Sequence, residues 1–329
     1  MRGLGYASGM TVFGFHASHE QFPPAELLAC VKNAQAAGFQ SAMCSDHLFP
    51  WLTSHDRRVG FAFAWLGAAL QATTLPFGVV SAPGQRYHPA ILAQAAATLA
   101  AMYPERFWVA VGSGEASNEH VTGDPWPTKP VRMARLRECV DVMRALWRGE
   151  TVNHDGLVTV RNARVYGGEH PPPIYAAAVS VETARWAGDW ADGLVTVSRP
   201  VDELRRVIDA FRDGGGDGKP IHLQHHLSWA PTDEEARAEV LDQWRHAALG
   251  PDLAWELEMP EHFDAATLTV RPEDLFAAVP TSSDLAYHVD EIAARAALGF
   301  DQVLLHNVGI DQRRFIDVFG DKVLPEVRS

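Results

Sequence analysis

The sequence predicts an α/β protein folded as a closed (β/α)8 barrel of the TIM type, with insertions at the mouth where the strands end. Three observations carry that prediction. Short apolar runs alternate with helical patterns eight times along the 329 residues. The runs are continuously apolar, as parallel strands buried on both faces are. No linker or composition shift divides the chain, so 1–329 reads as a single domain of ordinary barrel size. A doubly wound open sheet is the alternative.

The elements follow in order. TVFGFHA (11–17) is the first strand, and 23–38 a helix opened by Pro23 and Pro24 and closed by Gly38. FQSAMCS (39–45) is the second strand. PFGVVSA (76–82) is the third, followed by an Ala-rich helix over 88–103. RFWVAVGSG (106–114) is the fourth. The long helix 131–149 repeats Met133, Leu136, Val140, Met143 and Leu146 every three or four residues. PIYAAAV (173–179) is the fifth strand, and Ser180 caps a helix through Trp190. DGLVTV (192–197) precedes helix 201–212, and PIHLQHHLSWA (220–230) precedes helix 233–249. DQVLLHNV (301–308) is the eighth strand, followed by helix 312–319. Two segments break the rhythm. Residues 150–167 read as a β-hairpin turning at His154-Asp155-Gly156. Residues 250–283, acidic and rich in Pro, Trp and Phe, read as a lid or substrate loop over the mouth.

Composition narrows the function. The net charge is −13, from 28 basic and 41 acidic residues, and no basic block offers a surface to nucleic acid. Cys30, Cys44 and Cys139 match no metal or redox spacing and read as free thiols in a reducing compartment. No apolar run reaches membrane-spanning length, and MRGLGYASGM lacks the apolar core of a secretion signal. The expectation is a cytoplasmic enzyme acting on a small molecule.

In a barrel the active site gathers at the strand C-termini, and the polar residues collect there. The first strand exits into His16, His19 and Glu20, the second into Ser45, Asp46, His47 and Trp51. The third exits into Ser81-Ala82-Pro83-Gly84, the fourth into Ser113, Glu115, Asn118 and Glu119. His47 suits proton transfer, because imidazole titrates near neutral pH. Asp46 either holds its tautomer or caps the next helix. Glu115 opposite His47 completes an acid/base pair, and Trp51 offers an aromatic face to a ligand. Small residues and Gly84 after the third strand let a planar ring approach the backbone.

No GxGxxG or GxxxxGK[ST] marks a nucleotide phosphate site. The best anion candidate is the helix start in AAVSVETA, with Ala177, Ala178 and Ser180. In HLQHH (222–226), alternation sends His222, Gln224 and His226 to one face and His225 to the other. With no carboxylate partner, that set makes a poor metal site, and no metal is expected. GxSxG is absent, so a serine hydrolase elbow is not supported.

GFHASHEQF (14–22), SDHLFPW (45–51), the run 86–123, RLRECVDVMRALWRGETVNHDG (135–156) and DQRRFIDVF (311–319) resemble the bacterial luciferase superfamily of flavin and deazaflavin oxidoreductases. Within it the chain is most similar to the coenzyme F420-dependent glucose-6-phosphate dehydrogenase branch. The resemblance implies one flat ring at the strand C-termini and hydride transfer to or from a small organic substrate. It implies acid/base roles for His47 and Glu115, a substrate flank at Trp51, and ring contacts from Asp46 and Asn118. A non-proline cis peptide is implied around Val79, Val80 and Ser81. Arg313 and Arg314 match a substrate cation, but the lysines of the sugar-phosphate enzymes are missing around Arg199 and in 272–291. That argues against glucose 6-phosphate. Ala178-Val179 stands where a glycine pair of the cofactor phosphate loop is expected, and the chain also resembles a sub-branch that uses ordinary flavin in place of F420, which implies FMN as cofactor, with F420 as the alternative; the scarcity of cations fits the smaller charge of FMN. Trp51, Trp65 and segment 250–283 suggest an apolar substrate. A flavin or F420 reductase partner and a homodimer are further implications. A two-component monooxygenase using reduced FMN and oxygen is the alternative activity, and a non-catalytic flavin-binding protein the third reading.

Overall fold

The structure is a computed structural model and describes residues 10–55 and 59–328. The absence of a secretion signal, read from the first ten residues, falls largely outside them. The strands are β1 (Val12–Ala17), β2 (Ser41–Ser45), β3 (Phe77–Ser81), β4 (Phe107–Val111), β5 (Val152–Asp155), β6 (Thr159–Ala163), β7 (Ile174–Ala177), β8 (Gly193–Val197), β9 (Ile221–Leu227) and β10 (Gln302–Asn307). All except β5 and β6 are parallel and close into a barrel in the order β1-β10-β9-β8-β7-β4-β3-β2. Closure runs through Val12 opposite Gln302. The eight predicted strands are therefore the eight barrel strands.

Alternation along each strand separates two cores. Phe13, Phe15, Phe77, Val79 and Val109 face outward, into the layer between barrel and helices. Met43, Trp108, Ala110, Tyr175, Val195 and Leu304 fill the barrel itself. Trp108 stacks on Tyr175 at 5.2 Å between centroids, with His222 edge-on to both. Gly78 makes room for that stack, since a Cβ there would lie 1.9 Å from the Trp108 ring. This apolar plug closes the lower barrel, so the open space lies at the C-terminal mouth.

The helices between strands are α1 (Pro24–Ala36), α2 (Ala62–Ala72), α3 (Pro89–Met102), the short α4 (Ala116–Glu119), α5 (Lys129–Trp147), α6 (Val181–Trp190), α7 (Val201–Phe211) and α8 (Asp233–Gln243). The lid segment carries α9 (Pro251–Ala254), α10 (Pro260–Ala266) and α11 (Pro272–Ala278). Then come α12 (Leu285–Ala296), α13 (Gln312–Val318) and α14 (Leu324–Val327). Several details differ from the sequence reading. α5 starts two residues early because Pro130 suits a first helical turn. α8 stops at Trp244, whose φ of −137° is not helical, and a 3₁₀ turn follows over Arg245–Ala248. The hairpin turns over 156–158, while His154 and Asp155 belong to β5, where they pair with Val160 and Thr159. All peptides of the described residues are trans. β3 pairs regularly with β4 from Phe77 through Ser81, so the expected cis bond at Val79–Ser81 is not present. Among the described residues no helix is long and apolar enough to cross a membrane.

Candidate active site

A cavity of about 490 Å³ opens at the strand C-termini. The sequence-predicted residues His47, Trp51, Asp46, Val80, Ser81, Ser113, Glu115, Asn118, Ala177 and Ala178 all line it. Six predicted residues stand apart. Val79 points into the outer core, as alternation requires one residue from Val80. Ser180 caps α6, accepting from Thr183 N and donating to Thr183 Oγ1. Arg313 and Arg314 are exposed on α13 and are not part of the wall. Trp65, read as a substrate contact, is buried against Phe77 and His19. Gly84, at φ +119°, packs beside Arg135 instead of facing the cavity.

Asn118 bridges His47 and Glu115. Its Oδ1 accepts from the backbone N–H of Leu48 at 2.8 Å, which turns its amide N–H toward His47 and Glu115. Nδ2 lies 3.4 Å from His47 Nδ1 and donates to Glu115 Oε2 at 3.3 Å. His47 Nδ1 must then present a lone pair, so the neutral ring carries its proton on Nε2. That nitrogen faces Glu115 Oε2 at 4.0 Å. Burial raises the Glu115 carboxyl above its ordinary range, with His47 pulling it down and Glu20 pushing it further up.

Asp46 neither holds the His47 tautomer nor caps a helix. It is buried and accepts from Ser81 Oγ at 2.7 Å and Tyr87 OH at 3.1 Å. Arg86 ties it to Glu119: Nη2 lies 3.4 Å from Asp46 Oδ2, and the Arg86 N–H donates to Glu119 Oε2 at 2.6 Å. This network locks the exits of β2 and β3 together and holds Asp46 at the cavity wall.

The structure brings into the wall residues to which the sequence reading gave no role. Glu20 lines the cavity, fully enclosed, and accepts from Ser45 Oγ. Burial alone would raise its carboxyl, but the facing His47 and His16 rings and the Ser45 hydroxyl bring it down to about 2. Arg86, Lys129, Arg132 and Arg199 also line the cavity. Arg132 pairs with Glu256 at 3.0 Å and Arg199 with Glu203 at 3.6 Å. Lys129 sits 5.8 Å over Trp255 and has no carboxylate partner among the described residues. The cation-poor mouth inferred from the sequence is thus corrected: α5 brings in two cations whose positions no strand exit signals.

Trp51 is held on two sides. His246 stacks on it at 4.6 Å and 17°, and His47 lies 4.7 Å away. Phe263 of α10 meets it edge-on. Asp264 joins this lid to the Trp51 loop, accepting from Thr53 Oγ1 at 2.5 Å and from Arg245 Nη2. Segment 250–283 does reach the mouth, through Ala254, Trp255, Ala278 and Val279 on the wall.

The family pattern described as luciferase-like monooxygenase matches residues 8–302. The chain belongs to the bacterial luciferase-like family. It is similar to proteins named F420-dependent glucose-6-phosphate dehydrogenase: 34% identical to that of Microbacterium testaceum, over 96% of this chain and 97% of the relative. To that of Mycolicibacterium fortuitum it is 35% identical, over 96% and 98%. A solved F420-dependent secondary alcohol dehydrogenase, in complex with an F420-acetone adduct, superposes with a TM-score of 0.89 at 31% identity, covering 98% of this chain and all of that one. This family member is an enzyme and an oxidoreductase.

Proposed function

We propose that the enzyme binds coenzyme F420 in this cavity and moves hydride between its ring and a small organic substrate, with Glu115 carrying the proton. The observation behind the reading is the His47–Glu115 geometry. At 4.0 Å the two polar atoms are too far apart to hydrogen-bond each other. One substrate oxygen placed between them can reach both. Nε2–H of His47 then holds that oxygen while Glu115 takes its proton during oxidation, or returns it during reduction.

The residues present fit a flat ring with an anionic tail. Gly112, Ser113, Ala177 and Ala178 keep one wall free of bulk, and a Cβ at Gly112 would still lie 3.5 Å from Ala177. Thr196 lines the cavity with a buried Oγ1 that has no partner among the described residues. Lys129, Arg132 and Arg199 provide positive charge for the tail. These cations remove the charge argument for FMN, and the F420-dependent relatives support the deazaflavin over an FMN-using sub-branch. The bound deazaflavin supplies a hydride donor and acceptor at a ring carbon. Trp51, pinned by His246 and Phe263, flanks the substrate and keeps water off the reacting atoms.

The test is turnover of F420 with a panel of secondary alcohols, and of reduced F420 with ketones, followed by the loss or gain of ring absorbance. Alcohol-dependent F420 reduction supports the proposal. Consumption of oxygen by reduced FMN and substrate, with no F420 turnover, would instead support the monooxygenase reading.

A further inference from the structure

Across the barrel from the acid/base pair, on β9, lies a group of side chains with no part in the scheme above. His226 and Gln224 line the cavity there. β9 is three strands from β2 in one direction and three from β4 in the other. The Gln224 amide nitrogen lies 3.1 Å from His226 Nε2, 3.3 Å from His16 Nε2 and 3.2 Å from His306 Nδ1. Among the described residues no group of three or more His, Cys, Asp or Glu side chains is placed to hold a metal ion.

The proton positions can be deduced from the outer end of this chain of contacts. Gln21 donates through Nε2 to the carbonyl of Val308 at 3.0 Å, so its Oε1 faces His306 Nε2 at 2.9 Å. His306 Nε2 therefore carries a proton. Burial holds this ring neutral, its pKa pushed well below the ordinary value, so its Nδ1 is a lone pair. Only an N–H donor can face that lone pair, which fixes Gln224 with its amide nitrogen inward. The same NH₂ group faces Nε2 of His16 and of His226. The NH₂ group has two hydrogens: one is taken by His306 Nδ1, and the other goes to the nearer remaining ring nitrogen, His226 Nε2 at 3.1 Å, so His226 keeps a lone pair there and, as a neutral ring, carries its proton on Nδ1. His16 Nδ1 is buried and without a partner among the described residues. His226 is different: its ring is part-exposed on the cavity wall, and its Nδ1 makes no hydrogen bond among the described residues.

We propose that His226 is a second anchor for the substrate, a neutral ring locked by Gln224 in the Nδ1–H form, that donates to an uncharged oxygen of the substrate remote from the oxygen held by His47 and Glu115. The proposal rests on the reading that ring and substrate share this cavity. It narrows the substrate to molecules with two oxygens, such as hydroxyketones, diols or diones. Charge excludes anions at this end. Burial holds His226 neutral, bringing it down to about 4, and the ionised Glu20 on the same wall repels a phosphate or carboxylate. Trp244, 5.5 Å from His226, supplies an apolar flank.

Two measurements test this. Long-range ¹H–¹⁵N correlation on ¹⁵N-histidine-labelled wild-type protein, with His226→Phe for assignment, reads the protonated nitrogen of each ring. The expected pattern is Nδ1–H for His226 and Nε2–H for His306. Binding of cyclohexane-1,4-dione and of cyclohexanone to the F420-loaded protein forms the second arm. The wild type should bind the dione at least ten-fold tighter. His226→Phe should abolish that preference, the dione losing at least ten-fold more affinity than cyclohexanone, and His226→Gln, which keeps an N–H donor, should restore part of it. A proton on His226 Nε2, equal affinities in the wild type, or equal losses for both ligands in His226→Phe overturns the proposal. The tautomer reading needs no cofactor, so its failure counts against His226 alone. Failure of F420 to bind counts against the functional reading.

Discussion

Acidification from pH 7.5 to 5.5 should cost this protein several kcal/mol of stability, through histidines enclosed in the barrel. Burial holds His16 and His222 down to about 3 and His19 and His226 to about 4. The same rings in the unfolded chain titrate at about 6.5. Below that value the unfolded state takes up protons that the native state refuses, so stability is full above pH 6.5 and falls with pH toward the folded values. At pH 5.5 each such histidine shifts the balance by roughly 1.4 kcal/mol, or about 5–6 kcal/mol for four. Glu20, held at about 2, adds nothing in this window, because its contribution is lost only below the ordinary carboxylate range. Glu115, raised by burial, works the other way and offsets part of the loss. The net expectation is a fall of at least about 3 kcal/mol, a large share of the 5–15 kcal/mol typical of a folded protein. Urea unfolding at the two pH values, followed by tryptophan fluorescence, measures it directly. A change below about 1 kcal/mol would refute the reasoning, by showing that these rings are hydrated or already charged in the native state.

Four substitutions probe the rest of the account. Glu115→Gln should keep cofactor binding within about three-fold while kcat falls about 10²–10³-fold, the usual worth of a positioned proton carrier. The same change should raise stability at pH 7, where ionising a carboxyl with a raised pKa opposes folding, and thermal unfolding reads that gain. Asn118→Leu frees the His47 tautomer and removes a donor from Glu115, so kcat should fall about ten-fold or more with a shifted pH profile. Asp264→Ala cuts the ties from Thr53 and Arg245 that hold the lid to the Trp51 loop, so KM should rise more than kcat falls in steady-state assays. Gly78→Ala places a methyl in the Trp108 ring and should destabilise by about 1–3 kcal/mol or more, measured by urea unfolding.

The barrel was legible because its strands are buried on both faces and so appear as uninterrupted apolar runs. The helices missed had weaker signals. α2, AFAWLGAALQA, is apolar nearly all round and its N-cap, Phe61, makes no side-chain cap bond, so neither periodicity nor capping marks it. α12 did carry a signal, Asp284 accepting from Ala286 N ahead of buried His288, Ile292 and Arg295, but it follows directly on the irregular lid. The lid helices α9 to α11 run four to seven residues, too short to show a period.

The site divides in the same way. His47, Asp46 and Glu115 sit directly after strands, where chain position predicts spatial position. Lys129 and Arg132 lie on a helix whose first turn folds over the mouth, and Trp244 and His246 lie beyond the end of α8; only the tertiary fold brings them in. Arg313 and Arg314 were misplaced for the opposite reason. A motif match placed them in the site, but α13 turns Phe315 and Ile316 into the core and leaves both arginines in solvent. The alternation expected in HLQHH held: His222 enters the barrel plug, Gln224 and His226 the cavity, and His225 turns to Ser198 at 2.5 Å.

The central claim, that one flat ring binds at the strand C-termini beside His47 and Glu115, is tested most directly by titrating cofactor-free protein with F420 and with FMN in parallel, following ring fluorescence. The account predicts saturable binding of one F420 per chain, at least ten-fold tighter than FMN, and weakened by Ser81→Trp, which would fill the wall beside Asp46. Binding of neither molecule, or F420 binding indifferent to Ser81→Trp, would contradict it.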